Sequence, residues 1–148
     1  MPIPTLGRII AIDWGEVRLG LALSDETQIL ASPLHTLVRR PGKRFPMPQF
    51  LAHIDQHHPV GVVVGLPLTL EGLEGPSAAA AREVADVVAR RTGLPLEMVD
   101  ERLTTARAHR AIQAQGGSTR GRKADVDALA AAVLLQGFLE MRRGGIGS

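Results

Sequence analysis

IIAIDWGEVRLGLALSD, residues 9–25, is the stretch that decides the architecture. Ile9, Ile10, Ala11 and Ile12 run straight into Asp13. Residues 8–14 carry apolar side chains on both faces, the pattern of a strand in the middle of a sheet. The segment then turns through Gly15 and Glu16, and residues 18–24 read as the hairpin partner. Leu19, Leu21 and Leu23 share one face of that partner; Gly20 and Ala22 share the other. Burying a carboxylate is costly unless something compensates its charge. Asp13 therefore has two readings: a turn aspartate bonded to its own backbone, or an acid that faces a cation.

Outward from this hairpin, residues 28–38 can add a third, weaker strand. Residues 39–48 form a loop rich in proline and basic residues. Residues 49–57 suit a short helix ended by Pro59, and VGVVVG, residues 60–65, is a strongly apolar strand. The loop LPLTLEGLEG follows, as a flap over a site or a plain surface turn. Pro76 or Ser77 then opens a helix to Arg91, with Ala80, Val84, Val87 and Val88 on one face and Gly93 just past its end. Residues 94–99 are a further strand. Thr104 or Thr105 caps a helix that stops before Gly116 and Gly117, and residues 126–141 form the last helix, with Leu129, Val133 and Leu139 in its stripe. A hairpin followed by βα units predicts an α/β fold: a mixed five-stranded sheet with helices on both faces, in one domain over residues 1–148.

Composition narrows the function classes. The 148 residues include no cysteine, which removes disulfides and thiolate metal sites and fits a reducing cytoplasm. The N-terminus lacks a basic segment followed by an apolar one, and the longest apolar run, residues 60–70, is broken by Pro67 and Thr69. We expect a cytoplasmic protein with no membrane association. The net charge is +2, but the cations are clustered: Arg39, Arg40, Lys43 and Arg44; Arg102, Arg107 and Arg110; Arg120, Arg122 and Lys123. Such groups hold phosphates, or simply solvate loops and helix faces. At 3% aromatic residues, a broad base-stacking platform is not expected. His53 and His57 have helical i, i+4 spacing beside His58, yet no third ligand is evident, so they read as a polar helix end. No phosphate-binding G-x-x-x-x-G-K-[ST] loop and no G-x-S-x-G elbow occurs.

The acids carry more information. Asp100 and Glu101 stand at the exit of the strand over residues 94–99, and Asp125 and Asp127 at the start of the last helix. Each alone suits a turn or cap. If the strands share one sheet and the last helix packs on it, Asp13, Glu101 and a helix acid converge. Converging carboxylates take up protons unless a cation sits between them. Mg²⁺ and Mn²⁺ take oxygen ligands, and a pair of such ions can clamp both oxygens of a phosphodiester displacement.

Four segments, in order and over nearly the whole chain, resemble a known family. AIDWGEVRLGLALSD, VVVGLPLTLEGLEG, DERLTTARA and VDALAAAVLLQGFLE are similar to the motifs of the YqgF family, also called RuvX, a Holliday-junction-resolvase-like family with an RNase H-like fold whose functional label is pre-16S rRNA nuclease. The resemblance implies a nuclease with Asp13, Glu101 and Asp127 as catalytic, metal-holding residues and Mg²⁺ or Mn²⁺ as cofactor. Asp125 falls where basic or small residues are usual; it and Asp100 would be supporting acids. Arg102 lies inside the third motif and would touch the scissile phosphate or pair with Asp100. Arg120, Arg122 and Lys123 would meet the substrate backbone. Trp14 takes the aromatic place in the first motif, as core packing or as a base-stacking ring. The implied substrate is structured RNA, the 5′ end of the 16S rRNA precursor, with the ribosomal particle as a partner. The alternative is a four-way DNA junction, which calls for a homodimer rather than a monomer. A non-catalytic RNA-binding protein is disfavoured by the intact acids. An actin-like ATPase is disfavoured by the length, too short for two such domains.

Overall fold

The computed structural model describes residues 1–15, 17–39, 44–115 and 123–147, without the side chains of residues 103, 123–125 and 145–147. The elements are β1 (Ile9–Asp13), β2 (Arg18–Ser24), β3 (Ala31–Val38), α1 (Met47–His57), β4 (Gly61–Leu66), α2 (Pro76–Thr92), β5 (Leu96–Asp100), a 3₁₀ turn (Glu101–Leu103), α3 (Ala106–Gln113) and α4 (Lys123–Gly147). The short connection after Asp13 permits only an antiparallel return, so β1, β2 and β3 form a meander. The connections that contain α1 and α2 are long enough for parallel pairing, and β4 and β5 run parallel to β1. The sheet order is β3-β2-β1-β4-β5, the mixed five-stranded sheet expected.

Both faces of the sheet are covered, which explains the near-continuous apolar runs of β1 and β4. Ile9, Ala11 and Val63 pack with Ala108, Ile112, Leu134, Leu135 and Phe138 of α3 and α4. Ile10, Ile12, Val62 and Val64 pack with Leu19, Leu21 and Leu23, and with Phe50, Val84 and Val88 of α1 and α2. Gly93 takes a left-handed φ of 70° and ends α2, and the Thr105 hydroxyl accepts from the Ala108 N–H to cap α3, both at expected positions.

Several boundaries depart from the sequence reading: β5 spans Leu96–Asp100 rather than 94–99, α4 starts at Lys123 rather than 126, and three others have a visible cause. β3 begins at Ala31 rather than at 28, because Asp25 accepts backbone N–H bonds from Thr27, Ile29 and Leu30 and folds the intervening residues into a turn. α1 starts at Met47, with Pro48 in its first turn where a missing N–H is harmless. α4 runs well past residue 141. Its extension is held by polar contacts that an apolar stripe does not reveal: Arg142 donates to the Ile3 carbonyl and Arg143 to those of Gln28 and Ile29. Within α4, buried Gln136 accepts from the Ala31 N–H and donates to the Ile29 carbonyl, which docks the helix on the start of β3.

Candidate active site

Asp13 is the last residue of β1, and Glu101 follows the last residue of β5. β4 lies between those strands. A bulky β4 residue at this level would keep the two acids apart, but the position is Gly65. A Cβ there would stand 2.9 Å from Glu101 Oε1 and 2.9 Å from Leu134 Cδ2. The missing side chain is the space through which Glu101 crosses β4 toward Asp13. A second glycine brings in the third acid. Asp13 pairs with Gly20 of β2, and a Cβ on Gly20 would overlap the Asp127 carbonyl oxygen. Because Gly20 has none, the first turn of α4 rests directly on the β2 backbone, and Asp127 arrives beside Asp13.

Burial is the largest cause that raises the Asp13 carboxyl from 3.8 to about 8, followed by its hydrogen bond to Glu101 and the negative charges of Glu101 and Asp127. Burial and the neighbouring acids thus favour the protonated form of Asp13, which is hydrogen-bonded to Glu101. Asp13 and Glu101 also line a cavity of about 210 Å³ with Thr104 and His109 as polar neighbours and Ala130, Val133 and Leu134 of α4 as its apolar wall.

A family model described as Holliday junction resolvase, RuvX, matches residues 7–141. The chain belongs to the RuvX family. Two relatives carry the name "Putative pre-16S rRNA nuclease". One, from Kineococcus radiotolerans, is 44% identical over 137 residues, covering 92% of this chain and 73% of its own length. The other, from Anaeromyxobacter sp. strain Fw109-5, is 42% identical over 135 residues, covering 91% and 98%. Among solved structures, Thermus thermophilus RuvC in complex with Holliday junction substrate superposes with a TM-score of 0.58 at 21% identity, over 93% of this chain and 96% of that one. The yeast mitochondrial Holliday junction resolvase also gives 0.58, at 9% identity, over 96% and 81%. These structures share the RNase H-like fold with this RuvX family member.

Around the acids, this RuvX chain pairs its charges in ways the sequence left open. Arg18 Nε donates to Asp127 Oδ2 at 2.9 Å, an ion pair that bridges β2 and α4. Of the two roles open to Arg102, pairing is the one present. Its Nε and Nη2 meet Asp100 Oδ2 at 3.0 and 2.8 Å, and its backbone N–H donates to Asp100 Oδ1 at 2.9 Å. These bonds, the side-chain ones first, hold the Asp100 carboxyl below its usual range. Gly72, at φ +82°, lets loop 67–75 lie against the Arg102 guanidinium. That loop is a hydrogen-bonded turn: the Gly72 and Leu73 N–H groups donate to the Thr69 carbonyl and hydroxyl. Glu74 fastens the loop to Arg82 of α2 at 2.6 Å.

Arg120 and Arg122 lie outside the described residues. Lys123 and Asp125 belong to the first turns of α4, but their side chains lie outside the described residues too. The sequence reading does not single out Thr104, His109 or Arg18 as site residues. Arg18 opens the return strand of the D-W-G-E turn, and His109 follows cap residue Thr105 by one helical turn, so their spacing is the available signal.

The donor set suits a hard divalent cation. It consists of carboxyl oxygens, and its innermost member, Asp13, is buried and pushed toward its neutral form by the acids beside it, an environment that a cation would reverse. As the side chains lie here, no three acids or imidazoles among the described residues stand together as a metal cage. Asp13 is hydrogen-bonded to Glu101, and Arg18 holds Asp127. His53 and His57 stack at 6.1 Å between ring centroids, with His35 of β3 at 5.5 Å from His53, and they form no such cage either.

Proposed function

We propose that this RuvX family protein is a metal-dependent nuclease that hydrolyses phosphodiester bonds in structured RNA, with the 5′ end of the 16S rRNA precursor as substrate. The observation that carries the reading is a buried Asp13 carboxyl pushed to about 8 against Glu101 and beside Asp127. Asp13, Glu101 and Asp127 would hold Mg²⁺ or Mn²⁺. When bound, such ions activate water and stabilise the leaving oxygen, in the pairwise manner known for phosphodiester displacement. Once ionised, Asp13 would serve as a ligand together with Glu101. Arg18, once released from Asp127, is within one side chain's reach of a phosphate. His109 would offer a hydrogen-bond donor to its oxygens from the cavity wall, while the Thr104 hydroxyl beside it donates to the Glu101 carbonyl. Asp100 holds Arg102 at the rim under loop 67–75. Arg120, Arg122 and Lys123, at the entry to α4, supply positive charge for the backbone, and Asp125 is an extra acid at that entry.

The ribosomal substrate is the one named for the relatives. The site of action we assign is the cytoplasm, with the ribosomal particle as partner; no described helix is long and apolar enough to cross a membrane. A second reading, resolution of four-way DNA junctions, is favoured by the description of the family model. It requires a homodimer, because two symmetric cuts need two sites.

The test is a cleavage assay of wild-type and Asp13→Asn protein on precursor-like RNA, single-stranded DNA and a four-way junction, each with Mg²⁺, Mn²⁺ or EDTA. Metal-dependent RNA cleavage that is lost in the variant is the expected result. Symmetric junction cutting alone moves the substrate to DNA. Cleavage unchanged in Asp13→Asn removes the acids from the mechanism.

A further inference from the structure

Asp13 and Trp14 are neighbours at the end of β1, and strand alternation sends their side chains to opposite faces of the sheet. Trp14 turns to the side covered by α1 and α2, where it packs against the cluster built on Ile10, Ile12 and Phe50. It is not sealed there. A cavity of about 350 Å³ opens beside it, lined by Trp14, Phe45, Arg39, Arg44, Val87 and Arg91 among others. The Arg39 guanidinium carbon lies 4.0 Å from the Trp14 ring centroid, and its Nη1 donates to the Gly15 carbonyl at 3.0 Å. The stack is thereby tied to the turn that leaves Asp13. The Phe45 ring stands 6.3 Å from Trp14, inclined by 31°. Among the described residues of the lining, Arg39, Arg44 and Arg91 stand with one acid, Glu83.

Core packing accounts for the inner edges of Trp14 and Phe45. It does not account for three guanidinium groups around an open space beside two aromatic rings. That combination is what single-stranded nucleic acid uses: π-faces and planar cations for a base, and guanidinium charge for a phosphate. The volume lies in the range of small-ligand sites. The position is also apt, because a strand that places a phosphate at Asp13 can carry its adjoining nucleotide over the end of β1 to Trp14.

We propose that this cavity is a subsite for the nucleotide next to the scissile phosphate. The base lies against the Trp14–Arg39 stack and Phe45, and Arg44 and Arg91 meet the adjoining phosphate. The identity of the strand rests on the nuclease reading; the pocket itself does not. Arg44 and Arg91 are exposed, so their replacement leaves the core intact.

Trp14 is the single tryptophan of the chain, so intrinsic fluorescence reports on this cavity alone. Full-length Asp13→Asn protein in Mg²⁺ would be titrated with a short single-stranded RNA, the four-way junction and AMP, with anisotropy of labelled RNA recorded in parallel. We expect saturable quenching by the nucleic acid. In the Arg44→Ala/Arg91→Ala variant we expect about tenfold weaker binding and a salt slope reduced by about two. RNA binding with unchanged fluorescence and an unchanged salt slope in the double variant overturns the subsite and leaves the nuclease reading standing. AMP quenching at the same concentrations as RNA makes it a free-nucleotide site and overturns the subsite as well. Quenching that persists while wild-type protein cleaves no substrate overturns the nuclease reading and, with it, the place of this pocket beside a scissile phosphate.

Discussion

Replacement of Asp13 by asparagine tests the carboxyl cluster through stability alone, without any substrate. In the folded protein the Asp13 carboxyl is raised to about 8 from 3.8, first by burial and then by Glu101 and Asp127. Between those two values the folded state keeps a proton that the unfolded chain has released. Stability linked to this proton is therefore fully present below the unfolded value and is lost as pH rises toward the folded one. One bound proton changes the unfolding free energy by about 1.4 kcal/mol per pH unit, or about 3 kcal/mol from pH 5 to pH 7. The asparagine side chain cannot titrate, so the difference between the two proteins reads the titration of the Asp13, Glu101 and Asp127 cluster. Urea unfolding at pH 5, 6 and 7 should show wild type losing roughly 3 kcal/mol relative to Asp13→Asn across that window. If Asp13 holds a divalent cation, as proposed, the cation takes its ionised form, so added Mg²⁺ should restore wild-type stability near pH 8 and leave the variant nearly unchanged. Parallel pH profiles for the two proteins would refute the raised Asp13 carboxyl. Equal stabilisation of both by Mg²⁺ would refute Asp13 as a ligand.

Other outcomes follow from the same geometry. Gly65→Ala puts a methyl 2.9 Å from Glu101 Oε1 and Leu134 Cδ2, so thermal unfolding should show a cost of about 1–3 kcal/mol, with cleavage reduced at least as much as in Glu101→Gln. Gly20→Ala meets the Asp127 backbone rather than a side-chain tip; the α4 contact cannot give way locally, and urea unfolding should show the larger loss of the two glycine variants. Arg18→Ala removes an exposed ion pair and should change stability by less than about 1 kcal/mol, while isothermal titration shows Mg²⁺ affinity rising because Asp127 is freed. His109→Ala should lower kcat with little change in melting temperature, since the imidazole is exposed on the cavity wall; an unchanged kcat removes it from the site.

What the amino-acid sequence determined by itself is local. Alternation marked β1 and β2 and sorted Leu19, Leu21 and Leu23 from Gly20 and Ala22, because side chains on a strand repeat every two residues. Pro76, Gly93 and Thr105 marked helix ends, because caps act within one turn. The acids were legible as candidates, since charge at the end of an apolar strand demands compensation. Their convergence was expected from the strand order; the means of it was not legible, because it depends on two side chains that do not exist. Gly65 opens the way for Glu101, and Gly20 lets α4 touch β2; a glycine in a strand reads the same whatever approaches it. The extension of α4 beyond its apolar stripe rests on Arg142 and Arg143 reaching carbonyls from the other end of the chain. The same holds for Arg18 on Asp127, a pair separated by 109 residues, and for the arginines gathered around Trp14. Such contacts join segments by through-space distance, which no periodicity along the chain encodes, and only the tertiary structure decided them.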